Sequence, residues 1–286
     1  MNKLLHRKNN KKNLEINLNN IEDKAIVEML TTIKKEHISN EKLLIDSNRK
    51  DAPILEVTNL NKFFGNNDNR MQALKDINFK IYQNEHIAIL GGNGAGKTTL
   101  SEIIAGVNKQ DSGEIKYNLG QVRNFKEKIG IQFQDSSYPS GITVKRVVTF
   151  ISDVYKSNLS VDQLNALIEI FGIDKFYNKK ASSLSGGQQQ RLNCLLAIIH
   201  MPKLVILDEL STGLDVNIRY RIKTFIKSYA KENDMTILLV SHDMDEVEYI
   251  ADRIIVMVKG EIFINASKTE IINKYGSINN CINMYI

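Results

Sequence analysis

The stretch GGNGAGKTT, residues 91 to 99, places Gly91, Gly92, Asn93, Gly94, Ala95 and Gly96 ahead of Lys97, Thr98 and Thr99. It satisfies the spacing G-x-x-x-x-G-K-[ST], with Gly91, Gly96, Lys97 and Thr98 at the fixed positions. Glycines let the backbone curl until several N–H groups converge on one phosphate, and a helix that starts at the lysine adds the positive end of its dipole. Lys97 then reaches the outer phosphates of a nucleotide, and the Thr98 hydroxyl is a magnesium ligand. A second set lies in LVILDE, residues 204 to 209, an apolar strand that ends in two carboxylates. Asp208, delivered from the strand's C-terminal end, belongs to the magnesium shell; Glu209 projects differently and can accept a proton from an attacking water.

A third stretch, ASSLSGGQQQR at residues 181 to 191, is also glycine-rich. Ser185 can cap a helix running through GGQQQRLNCLLAIIH, whose free N–H groups would favour an anion. Beside the lysine loop, a second phosphate-binding element is redundant within one chain.

The elements that must position these groups alternate along the sequence. ILEVTNLNKFFG and LKDINFKIYQNEHIAIL read as strands joined by a turn-rich GNNDNR. The short apolar runs HIAIL, LVILD, TILLV and RIIVMV alternate with helical stretches, which argues for an α/β protein with a mainly parallel sheet covered by helices. Between IGIQF and LVILD lies a mostly helical insertion containing DQLNALIEIFGI, and no internal repeat is visible. Ordered structure is expected to begin near Pro53. Ahead of it, residues 1–52 form a basic, Asn- and Lys-rich extension. Ile21, Ala25, Ile26, Met29, Leu30 and Ile33 are spaced as one helical face there. Such an arm is either a solvated extension or a docking element for a partner or an acidic lipid surface.

The order of GGNGAGKTT, LSGGQ and LVILDE resembles the nucleotide-binding domain of ATP-binding cassette (ABC) proteins, over roughly residues 54 to 265. The resemblance implies a P-loop NTPase core with an antiparallel β subdomain and a helical signature subdomain. The domain division is then 1–52, 53–265 with helices at about 135–200, and a C-terminal tail at 266–286. In that family two cassettes sit head to tail, so that each ATP lies between one chain's lysine loop and the other's signature. The redundancy of the third stretch then disappears: Ser185, Gly186, Gly187 and Gln188 face a nucleotide held by a second ABC subunit, the same chain or a relative. By the same resemblance Gln134, in IQFQD, contacts metal or water and signals to the membrane partner. Asp215, in STGLD, works across the dimer, and His242, in VSHD, serves the γ-phosphate and Glu209. Phe64 holds the place of an aromatic stacked on adenine, the alternative being that Phe64 or Phe63 is core. ATP and Mg2+ are the implied cofactors, with Thr98, Gln134 and Asp208 as metal ligands. Leu210 stands where the family usually has proline, and without proline's fixed φ a looser loop beyond Glu209 is expected.

The implied function is an ATPase that drives a separate membrane-spanning permease from the cytoplasmic face of the cell membrane. STGLD and the lack of a large C-terminal domain lean toward export of the ABC-2 type; an importer, or a soluble ATPase such as one in iron-sulfur assembly, is the alternative. Bulk properties fit. The chain of 286 residues is 42% hydrophobic and 25% charged with net charge +5, an ordinary globular composition, and no nucleic-acid partner is expected. No apolar run reaches the roughly 18 residues that a spanning helix needs, and the N-terminus lacks the apolar segment of a secretory signal. Cys194 and Cys281, far apart and without metal spacing, read as packing residues in a reducing compartment.

Overall fold

The computed structural model describes residues 41–45, 51–66, 69–121, 124–133, 137–210 and 212–285. These belong to a compact unit that starts at Asn40. The helix expected around residues 21–33 lies outside them, as does Gln134.

Among the described residues, ten strands form two sheets. They are β1 (Leu43–Leu44), β2 (Leu55–Phe64), β3 (Met71–Ile81), β4 (Ile87–Gly91), β5 (Ser112–Tyr117), β6 (Ile129–Gln132), β7 (Leu204–Asp208), β8 (Thr236–Val240), β9 (Arg253–Val258) and β10 (Glu261–Ser267). The larger sheet has the order β1-β10-β9-β4-β8-β7-β6, and the smaller, antiparallel one β3-β2-β5. From β9 to β6 every neighbour is parallel; β10, turned back on β9, and β1, parallel to β10, run the other way.

The central strands are apolar without alternation because both faces of the sheet are covered. Ala88, Leu90, Val205, Leu207, Ile237, Leu239, Ile254 and Val256 face one core, shared with the helices. Their neighbours Ile87, Ile89, Leu204, Ile206, Leu238, Val240, Ile255 and Met257 face a second core, shared with the small sheet. Consecutive residues thus serve opposite layers, as the pleat requires.

Among the described residues, eight α-helices surround the sheets: α1 (Lys97–Ile104), α2 (Val144–Val154), α3 (Val161–Ile170), α4 (Gly186–Ile198), α5 (Val216–Glu232), α6 (Met244–Ile250), α7 (Lys268–Tyr275) and α8 (Ile278–Asn283). Thr143, Ser160, Ser185, Asp215, Asp243, Ser267 and Ser277 cap the last seven through their side chains. Each cap satisfies an N–H that the first turn leaves open. The stretch expected to be mostly helical at about 135–200 contains α2, α3 and α4.

The expected boundaries need correction. Order does not begin near Pro53, because β1 already pairs in parallel with β10, Leu43 opposite Ile264. Residues 266–285, expected as a C-terminal tail, complete β10 and form α7 and α8, and Ile271, Ile278, Cys281 and Tyr285 among them are buried. The Tyr285 hydroxyl donates to the Glu41 carbonyl at 2.8 Å, and Lys274 pairs with the Glu41 carboxylate at 2.8 Å. Leu210, expected to loosen its loop, is fully buried and anchors it to the helical core instead. Apolar contact replaces the stiffness that proline would have supplied.

One core position conflicts with its surroundings. Gln132, at the end of β6, is completely buried, and neither its Nε2 nor its Oε1 has a hydrogen-bond partner among the described residues. An orphaned buried amide costs about 1–3 kcal/mol. Gln132→Met, which keeps the volume and removes both polar atoms, should stabilise the protein by about 1–2 kcal/mol, read as a higher urea midpoint at unchanged m-value.

Candidate functional site

Parallel neighbours end at a common edge, and here β4, β7 and β8 deliver Gly91, Asp208 and Ser241–His242 to it in adjacent positions. A cleft of about 330 Å³ opens at this edge. Phe64, Asn93, Gly94, Ala95, Gly96, Lys97, Thr98, Thr99, Asp208, Glu209 and His242 line it, so residues from distant parts of the sequence meet there. Gly91 and Gly92 border the adjoining cavity beside His242. Ser185, Gly186, Gly187, Gln188 and Asp215 do not line the cleft.

The loop between β4 and α1 is shaped for an anion. Gly94 and Gly96 have φ of 76° and 97°, in the left-handed region that favours glycine. A Cβ on Gly96 would lie 2.7 Å from the Ala73 carbonyl oxygen. The β9–β10 turn holds the loop from behind: Gly260 N–H donates to the Ala95 carbonyl at 3.1 Å, and the Gly260 carbonyl accepts from Lys75 at 2.8 Å. Alone among the described α-helices, α1 has no side-chain cap, since its N-cap is Gly96. Its first N–H groups are left for a ligand, and the helix dipole adds to their pull on negative charge.

Lys97 is buried, and its Nζ donates to the carbonyls of Gly91 at 2.8 Å and Gly92 at 3.1 Å. Burial lowers its pKa below the ordinary ammonium value, while Asp208 and Glu209 act in the opposite sense. Asp208, also buried, has its pKa pushed up to about 6 by desolvation, against the Thr98 hydroxyl that hydrogen-bonds it. A desolvated carboxylate beside a hydroxyl is a pair of hard oxygen donors suited to Mg2+. No cluster of three or more His, Cys, Asp or Glu that could hold a metal exists among the described residues, so a magnesium ion at Thr98 and Asp208 would take its remaining ligands from beyond this pair, phosphate and water among them.

Glu209 follows Asp208 with φ of 54°, a left-handed conformation that costs a non-glycine residue about 1–2 kcal/mol. Its N–H donates to the Val240 carbonyl at 2.7 Å, and its own carbonyl accepts from the Gln190 side chain. The kink turns the carboxylate away from Asp208 and toward His242, whose Nε2 is 3.9 Å from Glu209 Oε1; Thr212 donates to Oε2 at 3.0 Å. His242 is presented by a braced turn. Ser241 donates to Glu246 at 2.7 Å, and Asp243 caps α6 while accepting from Arg219 at 2.9 Å.

Phe64, 38% exposed, lines the cleft with Lys62 Nζ 5.3 Å from its ring centre, whereas Phe63 stacks under the Arg70 guanidinium at 4.0 Å. The two phenylalanines are thereby told apart, and Phe64 is the one available to a base. At α4 the side chains of Ser185 and Gln188 close a capping box on each other, which leaves the N–H groups of Gly186 and Gly187 for an external partner. Asp215 caps α5 through Ile218 N–H at 3.0 Å. Sequence reasoning missed Thr212, Gln190, Asp243 and the Gly260 turn. Asp243 carries a readable cap signature ahead of Glu246; the contacts of Gln190 and Gly260 span long separations and leave no local trace.

The Asp208 shift has a consequence for stability. Its folded-state pKa of about 6 exceeds the ordinary 3.8, so the ligand-free fold loses stability as pH rises through this interval and stays lower above it. Asp208→Asn removes that penalty. The variant should be more stable than the native chain at pH 7 by about 1–3 kcal/mol, with the advantage vanishing below pH 4 in chemical denaturation without nucleotide.

Residues 74–212 match the family described as ABC transporter. Over 229 residues the chain is 32% identical to the spermidine/putrescine import ATP-binding protein PotA of Borrelia garinii subsp. bavariensis, covering 78% of this chain and 65% of that relative, a little under two thirds of its length. It is also 32% identical over 249 residues to the energy-coupling factor transporter ATP-binding protein EcfA of Malacoplasma penetrans, covering 84% and 82%. Among solved structures, cbiO1 of Clostridium perfringens, part of the ABC transporter complex cbiONQ, shares 30% identity at a TM-score of 0.60, covering 82% and 98%. A dimeric ATP-binding cassette in a post-hydrolysis state, bound to ADP and Pi, shares 25% identity at a TM-score of 0.66, covering 74% and 98%. With its phosphate loop, paired carboxylates and signature helix in these positions, the chain belongs to the ABC transporter family, among its ATP-binding proteins.

Proposed function

We propose that the chain is the ATP-hydrolysing motor of a membrane transporter, and that two cassettes close head to tail around two MgATP. The observation that carries this reading is the convergence of Lys97, Thr98, Asp208, Glu209 and His242 on one cleft whose wall lacks Ser185, Gly186 and Gly187 of the same chain. A second subunit, identical or related, supplies that missing wall, and the dimeric ADP- and Pi-bound relative supports the arrangement.

In the closed state Lys97 leaves its loop carbonyls for the β- and γ-phosphates, and the N–H groups at the start of α1 hold the same oxygens. Thr98 and Asp208, with Gln134, would hold Mg2+, which when bound would supply neutralisation of phosphate charge. Glu209 orients water and takes its proton as the water oxygen bonds to the γ-phosphorus, and ADP leaves with the bridging oxygen. His242 hydrogen-bonds the γ-phosphate and keeps the Glu209 carboxylate in place. Phe64 stacks on the adenine. Asp215 reaches across to the other cassette. Loss of phosphate removes the charge that joins the two chains, and the dimer opens.

The permease is a separate polypeptide in this reading, with the chain peripheral on the cytoplasmic side of the membrane; no helix among the described residues is long and apolar enough to cross one. A groove of about 480 Å³ lined by Phe133, Tyr138, Ile151, Tyr155 and His200 lies beside α2, whose Phe150 and Val154 are exposed. It suits the docking of a short amphipathic segment of that permease. PotA, named for spermidine/putrescine import, and CysA of Mannheimia succiniciproducens, 34% identical and named for sulfate/thiosulfate import, favour uptake over the export that STGLD suggested.

Two variants test the motor. Glu209→Gln should lower ATP turnover by about 10²–10⁴-fold while ATP drives it into a long-lived dimer, seen by sedimentation. Lys97→Ala should instead weaken nucleotide binding itself in equilibrium titration. Native turnover by Glu209→Gln would mean that another group takes the proton.

A further inference from the structure

Gln190 sits on α4, on the helix that begins with Ser185, Gly186 and Gly187, yet its side chain points into the protein. It is 7% exposed, and its Nε2 donates to the backbone carbonyl of Glu209. A buried amide that reaches a main-chain carbonyl nineteen residues away fixes a peptide plane rather than a surface. The plane it fixes belongs to a residue in a left-handed conformation, φ 54°. Such a conformation persists only where the surroundings over-determine it. Three hydrogen bonds do so here: Val240 on β8 accepts from the N–H of Glu209, the Thr212 N–H donates to its carbonyl at 3.3 Å from within the loop, and Gln190 donates to the same carbonyl from α4, the one tie that reaches it from another helix. The first turn of α4 touches the same loop further on, since a Cβ on Gly187 would lie 2.7 Å from the Gly213 carbonyl oxygen.

We propose that Gln190 is a positioning residue for the Glu209 carboxylate, and that through it the helix bearing the signature residues sets the geometry of the base in its own chain. The proposal rests on the reading of Glu209 as the base. The two ends of the link serve different nucleotides in that reading: the start of α4 meets the one held by the partner subunit, and Glu209 acts on the one held by its own lysine loop. A helix whose first turn packs closely on Gly213 and whose Gln190 bonds the Glu209 carbonyl lets arrival of one nucleotide adjust the base for the other, by turning the Glu209 peptide planes.

Gln190→Met keeps the side chain's length and volume and removes its amide, and with it the donor to the Glu209 carbonyl. In the full chain, kcat should fall about tenfold or more, with KM and nucleotide affinity within about twofold of native. Backbone hydrogen exchange over residues 207–210 should quicken at the same time. In a Glu209→Gln background the same substitution should change the residual rate by less than about twofold, because its effect runs through the missing carboxylate. A kcat for Gln190→Met within about twofold of native, or an equal loss in both backgrounds, overturns the proposal. Should the methionine variant not accumulate, Gln190→Asn, whose amide is one methylene too short, gives the same decision: lower kcat at constant KM supports it and native kcat overturns it. Native turnover by Glu209→Gln alone would remove the base assignment instead. Exchange at residues 207–210 would still report whether Gln190 braces that backbone.

Discussion

The shared edge of a parallel sheet governs this molecule. Strands β4, β7 and β8 run in the same direction with Ile89 opposite Val240 and Asp208 opposite Val240 on the other side. Their last residues therefore emerge side by side, and any groups placed there are neighbours regardless of sequence separation. Both faces of the sheet are filled by apolar side chains, so the edge is held by cores above and below it. Residues more than a hundred positions apart, Lys97 and His242 among them, meet on that account.

The edge is also where the fold tolerates its unfavourable local states. An ammonium and a carboxylate are kept out of water at Lys97 and Asp208, a glutamate is held left-handed, and one helix starts without a cap. Each would be relieved by a bound, negatively charged oxygen or by the cation that accompanies it. Elsewhere, the helices are capped by their own side chains. The contrast separates a place built for a ligand from places built for stability. It also explains why Ser185, which could have been read as a direct phosphate contact, spends its side chain on α4 and leaves backbone groups to face outward.

Much of this was legible from sequence for identifiable reasons. Strands buried on both faces read as continuous apolar runs, and the phosphate loop has fixed spacing because a lysine must reach over a loop of set size. The cap at Ser185 was readable from its neighbours. What escaped has a common cause. β1 is two residues long in a polar stretch and forms only because β10 offers a free edge. Helices α7 and α8 are short, and their apolar faces acquire meaning only against the sheet. Leu210 was judged against the proline of the family, whereas its behaviour follows from a core that closes around it. Gln190 looked like one more polar residue in a run of glutamines, and only the folded backbone reveals which of them turns inward.

The pairing of Leu43 and Leu44 with β10, fastened by the Ile45 N–H to the Asn265 carbonyl at 2.9 Å and by the Tyr285–Glu41 contact, covers a row of main-chain groups that would otherwise invite other strands. A chain trimmed to begin at Pro53 would look complete by family standards, yet it would bare that row. Unsheathed margins of this kind recruit one another, so shortening the polypeptide to its recognisable cassette would exchange a well-behaved molecule for one prone to stack with its own copies.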